Sequence, residues 1–290
     1  VVDSFSRIVR LGEGVAQTGA LSEAAMERTV AALKVCAEHI KKHRVRHIRA
    51  IATEACRQAA NAQVLIDRVA KETGIALCVV TTAEEARLAA LGCAPLIGAD
   101  YDGALAFDIG GGSTEAIWLR PGEGVASLVH FASVPLGVMS LAEGNGHAAD
   151  DKAAFAAMYA TMLERFTAVR REMDGVAPFD TARHHLLGTS GTVTTLAGVA
   201  MGLARYVRSR VDASWHDCAA IMAVVENLKT LDRRARAAQG CIGEERADLI
   251  VPGCAIFAAI HDVWPCARLR VADRGLREGI LRELMIEART

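Results

Sequence analysis

Phe107-Asp108-Ile109-Gly110-Gly111-Gly112-Ser113-Thr114-Glu115 is the stretch on which the reading of this chain turns. β-favouring apolar residues lie on both sides of three successive glycines, so 105–108 and 114–119 are predicted strands, and 126–131 is a third that completes a β-meander. Glycine lets a backbone come within hydrogen-bond distance of an oxyanion and turn several N–H groups toward it. Gly110, Gly111 and Gly112 can therefore cradle a phosphate, with the hydroxyls of Ser113 and Thr114 as added donors. Strands flank the loop on both sides and no Gly-Lys-Ser/Thr follows, which separates it from a P-loop and from a strand-to-helix dinucleotide fingerprint. Asp108 before the glycines and Glu115 after them are hard oxygen donors of the kind that hold Mg²⁺ where phosphoryl groups react. An ordinary hairpin turn with exposed acids is the plainer reading, and three glycines bracketed by two acids weigh against it.

Further along, Leu187-Gly188-Thr189-Ser190-Gly191-Thr192 runs from a short predicted strand at 185–188 into a predicted helix at 192–201. Ser190, Gly191 and Thr192 can present helix N-terminal amides to phosphate, although most such sequences are simply good caps. Upstream, Glu84-Glu85-Ala86-Arg87 opens a helix, and either glutamate could deprotonate a water; the pattern alone does not choose between them. Arg57 and Arg87 are candidate partners for phosphate oxygens, as are the arginine clusters at 205–210 and 233–236. The nine histidines show no zinc-ligand spacing.

The whole chain has 290 residues, 52% apolar and 23% charged, enough for one large domain or two ordinary ones and unlike a disordered protein. Lys and Arg number 33 against 34 Asp and Glu, so no basic excess marks a duplex nucleic-acid binder, and any polyanion must be met by a local site. No apolar run is long enough for a membrane span, and the longest, 249–260, carries Pro252 and Gly253. Eight scattered cysteines without a C-x-x-C pair read as core thiols of a cytoplasmic protein. Alternation at 3–10, an amphipathic helix after Ser22, a strand at 45–52, a helix at 54–71, a strand at 75–80 and a helix at 83–91 give an α/β pattern. The turn-rich connection at 98–103 is the candidate boundary. Beyond it come a loop at 144–147, helices at 152–172 and 244–260, a strand at 268–272 and a helix at 276–288.

The chain resembles the exopolyphosphatase / guanosine pentaphosphate phosphohydrolase family. The stretches that carry the likeness are Ala52-Thr53-Glu54-Ala55-Cys56-Arg57-Gln58-Ala59, Glu84-Glu85-Ala86-Arg87-Leu88, the Asp108 to Glu115 loop, Gly188 to Thr192, Glu244-Glu245-Arg246, Val251-Pro252-Gly253 and Gly275-Leu276-Arg277-Glu278-Gly279, in the family's order. The resemblance implies two ribonuclease-H-like domains of the actin, Hsp70 and hexokinase superfamily with a cleft between them: 1–98 with 279–290, and 99–278. It implies Mg²⁺-dependent removal of the terminal phosphate of inorganic polyphosphate or of the 5′ γ-phosphate of guanosine pentaphosphate. Glu85 is then the general base, Asp108 and Glu115 the metal or water partners, 110–113 one phosphate loop and 190–192 part of the other side. A homodimer is expected on the same ground. Family members begin with a strand, an Asp-x-Gly-Ser/Thr-Asn-Ser loop and another strand, and nothing before Asp3 supplies them, so a truncated chain is expected. A sensor of polyphosphate or guanosine penta- and tetraphosphate with little turnover is the alternative, and an ATP-dependent kinase of the same superfamily fits the hydrolase-like motifs less well.

Overall fold

The computed structural model describes residues 2–122, 127–144 and 152–288. The loop expected at 144–147 lies, beyond Gly144, outside them. Packing gathers the chain into two compact units, Val1–Glu85 and Ala86–Thr290.

In the first unit, α1 (Glu23–Lys42) starts at Ser22, whose Oγ accepts the Ala25 amide at 3.2 Å, and turns Met26 and Val30 inward. There follow β1 (Ala50–Ala52), α2 (Glu54–Gln58), α3 (Ala62–Thr73), β2 (Leu77–Val79) and the first turn of α4 (Thr82–Cys93). β1 and β2 pair in parallel, Ala50 opposite Leu77. Leu65 and Val69 of α3 join Met26, Val30 and Ile75 in one apolar cluster. The helix expected over 54–71 is two helices, because Ala59 is extended and the Ala60 amide donates to the Gly19 carbonyl (2.9 Å); beside it the Asn61 side chain accepts the Leu21 amide (2.8 Å) and donates to the Leu21 carbonyl (3.0 Å). Only the last three residues of the strand expected at 45–52 pair, and the alternation at 3–10 forms no strand.

The second unit is built on a six-stranded sheet of β3 (Gly103–Ile109), β4 (Thr114–Arg120), β5 (Ser127–Val134), β6 (His184–Thr189), β7 (Trp215–Asp217) and β8 (Arg268–Ala272), in the order β5-β4-β3-β6-β8-β7. β3, β4 and β5 form the expected antiparallel meander; β6 joins β3 in parallel and β8 joins β6 in parallel. That order and sense are those of a ribonuclease-H-like sheet, with β7 added antiparallel at the edge. The unit's longer helices are α5 (Val138–Gly144), α6 (Lys152–Val176), α7 (Ser190–Ala200), α8 (Cys218–Leu228), α9 (Ile250–Val263) and α10 (Leu276–Glu287).

Strand alternation sends Leu105, Phe107, Ile109 and Trp118 to one face, where Met158, Met162 and Phe166 of α6 and Ile256, Phe257 and Ile260 of α9 cover them. Ala104, Ala106, Ile117, Leu119 and Leu187 take the other face, beneath Ala86, Ala89, Ala90 and Cys93 of α4. Each large side chain so buried contributes about 1.5–3 kcal/mol. α4 also meets α10 backbone to backbone: a Cβ on Gly92 would fall 2.0 Å from the Gly275 carbonyl oxygen, and one on Gly279 would fall 1.9 Å from that of Leu88. This contact, possible only without side chains, ties 276–287 to the second unit. The units thus divide at Glu85 and Ala86, inside α4, rather than at 98, and α10 packs with the second.

The helix expected over 244–260 is split into Gly243–Arg246 and α9, since Pro252 has no N–H to give the carbonyl four residues back. Six of the eight cysteines are buried and unpaired as expected; Cys36 is half-buried and Cys78 is exposed. Among the described residues no helix is long and apolar enough to cross a membrane.

Candidate functional site

On the α4-covered face of the sheet, successive rows across the strands are apolar until the strands end. Ile117, Ala106 and Leu187 make one such row. The last row is polar: Ser133, Glu115, Asp108 and Thr189 stand opposite one another on β5, β4, β3 and β6. Cross-strand partners share a face, so the two acids that bracket the glycines are neighbours. Glu115 is only 4% exposed, and its Oε1 accepts the Ser133 hydroxyl at 2.9 Å. Asp108 is half-buried, and burial together with its charge pushes the Cys93 thiol well above its usual pKa.

The glycine loop is shaped from behind. Gly110 N donates to Ser113 O at 2.9 Å, closing the turn. The first amides of α5 satisfy the loop's carbonyls: Val138 N donates to Gly110 O (3.0 Å) and Met139 N to Gly111 O (2.8 Å). Gly137 makes this approach possible, because a Cβ there would lie 2.4 Å from Gly110 O. With the carbonyls turned toward α5, the amides of Gly111 and Gly112 donate to no backbone carbonyl among the described residues. This leaves them able to serve an oxyanion. Ser113 is 5% exposed and Gly111 is exposed.

The second loop is strained and under-bonded. Ser190, the first residue of α7, has φ +82°, and its Oγ is buried without a hydrogen-bond partner. Thr189 makes no side-chain cap, its hydroxyl donating instead to the Arg274 carbonyl at 2.9 Å, so the first amides of α7 are left for another acceptor. Beside them sits the Arg246 guanidinium. It donates to Thr195 Oγ1 at 2.9 Å and would lie 3.7 Å from a Cβ on Gly191. A cation at the positive end of a helix is unfavourable on its own, and an anion held between the two relieves the repulsion. Arg246 was within reach of sequence reasoning, inside the Glu244-Glu245-Arg246 stretch, but no local pattern brings it to α7. Gly137 and Ser133 likewise carried no local signal. Of the other candidate arginines, Arg87 pairs with Glu283, Arg208 with Asp273 and Glu278, and Arg233 with Glu244 and Asp248, while Arg236, fully buried, donates to the carbonyls of Leu231 and Ala247.

The first unit holds a separate charged cluster. Arg57 on α2 donates through Nη1 to Glu85 (2.7 Å) and to the Val80 carbonyl (2.9 Å), and through Nη2 to Glu54 (2.6 Å). All three side chains are under one-fifth exposed. Burial raises the Glu85 carboxyl above its ordinary pKa, and the bond from Arg57 opposes that rise without cancelling it. Burial by itself would lower the Arg57 pKa, but its bonds to Glu85 and Glu54 hold it above the usual value. Glu84, by contrast, points to Arg49 at 2.8 Å. The two glutamates that the sequence pattern leaves equivalent are thus physically different.

Asp108 and Glu115 suit a hard cation: two carboxylates side by side, on one face, at the strand ends. Among the described residues no group of three or more His, Cys, Asp and Glu could hold a metal. Two carboxylates could supply part of the oxygen shell of such a cation, the rest coming from water and phosphate oxygens.

The order and sense of the six-stranded sheet are ribonuclease-H-like, and the likeness to solved structures makes the fold that of the two-domain, actin-like kind. Residues 1–288 match the Ppx/GppA phosphatase family, and the chain belongs to it. It is 32% identical over 290 residues to exopolyphosphatase 2 of Mycobacterium tuberculosis, covering 95% of this chain and 86% of that protein. It is 27% identical to a guanosine-5′-triphosphate,3′-diphosphate pyrophosphatase of Photobacterium profundum, covering 98% of this chain and 54% of that one. An exopolyphosphatase structure from Cytophaga hutchinsonii superposes with a TM-score of 0.83 at 26% identity, covering 96% of this chain and 88% of that one.

Proposed function

We propose that the protein is a phosphoanhydride hydrolase that removes the terminal phosphate of inorganic polyphosphate or the 5′ γ-phosphate of guanosine pentaphosphate, with Glu85 as general base. The observation that carries the reading is Glu85 itself: a carboxylate only 15% exposed, raised in pKa by desolvation yet kept ionisable and oriented by Arg57. Both substrate classes figure in the names of relatives, one in the mycobacterial protein and the other in the Photobacterium protein.

In the reaction a water oxygen attacks the terminal phosphorus, the bond from that phosphorus to the bridging oxygen breaks, and the shortened chain leaves with the bridging oxygen. Glu85 takes the water's proton. The amides of Gly111, Gly112 and 190–192 receive phosphate oxygens, and fixed dipoles of this kind stabilise charge without reorganising during the reaction. Asp108 and Glu115 are the residues that would hold Mg²⁺, which when bound supplies positive charge against the phosphoryl oxygens. Replacing Glu85 by Gln is expected to lower phosphate release from both substrates about 10³-fold with the melting temperature retained. Replacing Glu84 by Gln leaves the rate close to that of the parent. Release at the parental rate by Glu85→Gln would overturn the assignment.

A further inference from the structure

Glu115 is the most deeply buried acid in the polar row, and a carboxylate there needs donors to stay ionised and to hold one rotamer. Ser133 supplies one. It stands directly opposite Glu115 on β5, on the side away from Asp108, and its Oγ–H donates to Glu115 Oε1 at 2.9 Å. The order Ser133, Glu115, Asp108 places a hydroxyl behind the carboxylate and the second acid in front of it. Outer hydroxyls in this arrangement fix the orientation of a ligating carboxylate and set its affinity. β5 ends at Val134, and the next residues lead through Gly137 into α5, the helix that holds the glycine loop. Thr114 reinforces the same connection, its Oγ1 donating to the Leu136 carbonyl at 2.8 Å.

We infer that Ser133 is a positioning residue: it orients the Glu115 carboxylate toward Asp108 and thereby sets how tightly the pair holds a divalent cation. The inference rests on the metal role proposed above for Asp108 and Glu115. It deepens that role by assigning the cation affinity in part to a residue that touches neither cation nor substrate.

The test uses the full chain and its Ser133→Ala, Ser133→Thr and Glu115→Gln variants, with Mn²⁺ binding to the free protein followed by electron paramagnetic resonance. The Mg²⁺ concentration at half-maximal phosphate release is measured in parallel, with melting temperatures as a control. Ser133→Ala is expected to weaken Mn²⁺ binding and raise the Mg²⁺ requirement about tenfold. Its KM for polyphosphate at saturating Mg²⁺ should be unchanged, and Ser133→Thr, which keeps the hydroxyl, should restore both metal readings. Parental Mn²⁺ binding and Mg²⁺ requirement in Ser133→Ala, with both impaired in Glu115→Gln, would overturn the inference and leave the metal role standing. A loss in Ser133→Ala that Ser133→Thr fails to restore would also overturn it, by pointing to packing in place of the hydroxyl. Parental Mn²⁺ binding in Glu115→Gln would overturn both, and would locate the failure in the metal role.

Discussion

The charged cluster of the first unit and the loops of the second present their polar groups by different means. Around Arg57, charge is carried by side chains that titrate and compensate one another: a guanidinium between two carboxylates, all under one-fifth exposed, with Glu85 raised by burial and restrained by its partner. Around 110–113 and 190–192 the donors are backbone amides and hydroxyls, whose strength does not change with pH. Their geometry is enforced from behind, by α5 on the glycine loop and by a strained Ser190 at the start of α7. One region is tuned by the energy of removing charge from water and the other by backbone conformation. Substitutions should therefore fail differently in the two places: through pH dependence in the first and through geometry in the second.

The largest effect on turnover that separates the two is expected at Gly137. Gly137→Ala places a methyl 2.4 Å from Gly110 O, so α5 or the loop must shift. Phosphate release should fall about 10²-fold, stability should drop by about 2 kcal/mol, and the pH profile should keep its shape. A changed profile would show that the loops and the carboxylate are not the separate devices described above.

Arg57→Gln is expected to have a smaller effect on the maximal rate, about tenfold, and a distinct signature in the pH profile. Arg57 favours the ionised form of Glu85, so its removal leaves desolvation and the nearby Glu54 charge unopposed. The acid limb of kcat/KM moves to higher pH. A limb that stays in place, or moves down, would detach the rate from Glu85.

The smallest effect on turnover is expected at His185, which sharpens the comparison by titrating within the second unit but away from its loops. Burial lowers its pKa to about 4, and Nε2 accepts the Gly98 amide at 3.1 Å. A histidine depressed in the folded state contributes stability that is complete above the unfolded value of 6.5 and is lost as pH falls toward about 4. That loss is about 3 kcal/mol, fully developed at the acid end of the window. His185→Gln, which keeps an acceptor but cannot charge, should flatten the pH dependence of urea-unfolding stability between pH 7 and 4.5 while phosphate release at neutral pH stays near the parental rate. An equally steep dependence in the variant would place the titrating group elsewhere.

Much of this was legible in the chain. The meander around the three glycines, the strand at 268–272 and the entry into α7 follow from strongly patterned segments, and they appear close to where alternation and caps place them. Short or interrupted elements were not legible. β7 has three residues and belongs to the sheet only because β8 lies beside it. The break at 59–61 goes with the Ala60 amide meeting the Gly19 carbonyl and the Asn61 side chain meeting Leu21, both about forty positions away. The residues of the candidate site divide in the same way. Those inside a dense local motif could be named, whereas Ser133, Gly137 and Arg246 act only through partners on other elements.

The sequence by itself determined the class of chemistry, because glycine, hydroxyl and carboxylate types at fixed spacing dictate what a backbone turn can approach and which ions it suits. Tertiary structure alone decided which arginine each of two adjacent glutamates meets and which of them is the less exposed, which sheet row is polar, and which unit claims the last helix. Those outcomes depend on burial and on contacts between distant positions, and a local pattern carries no record of either.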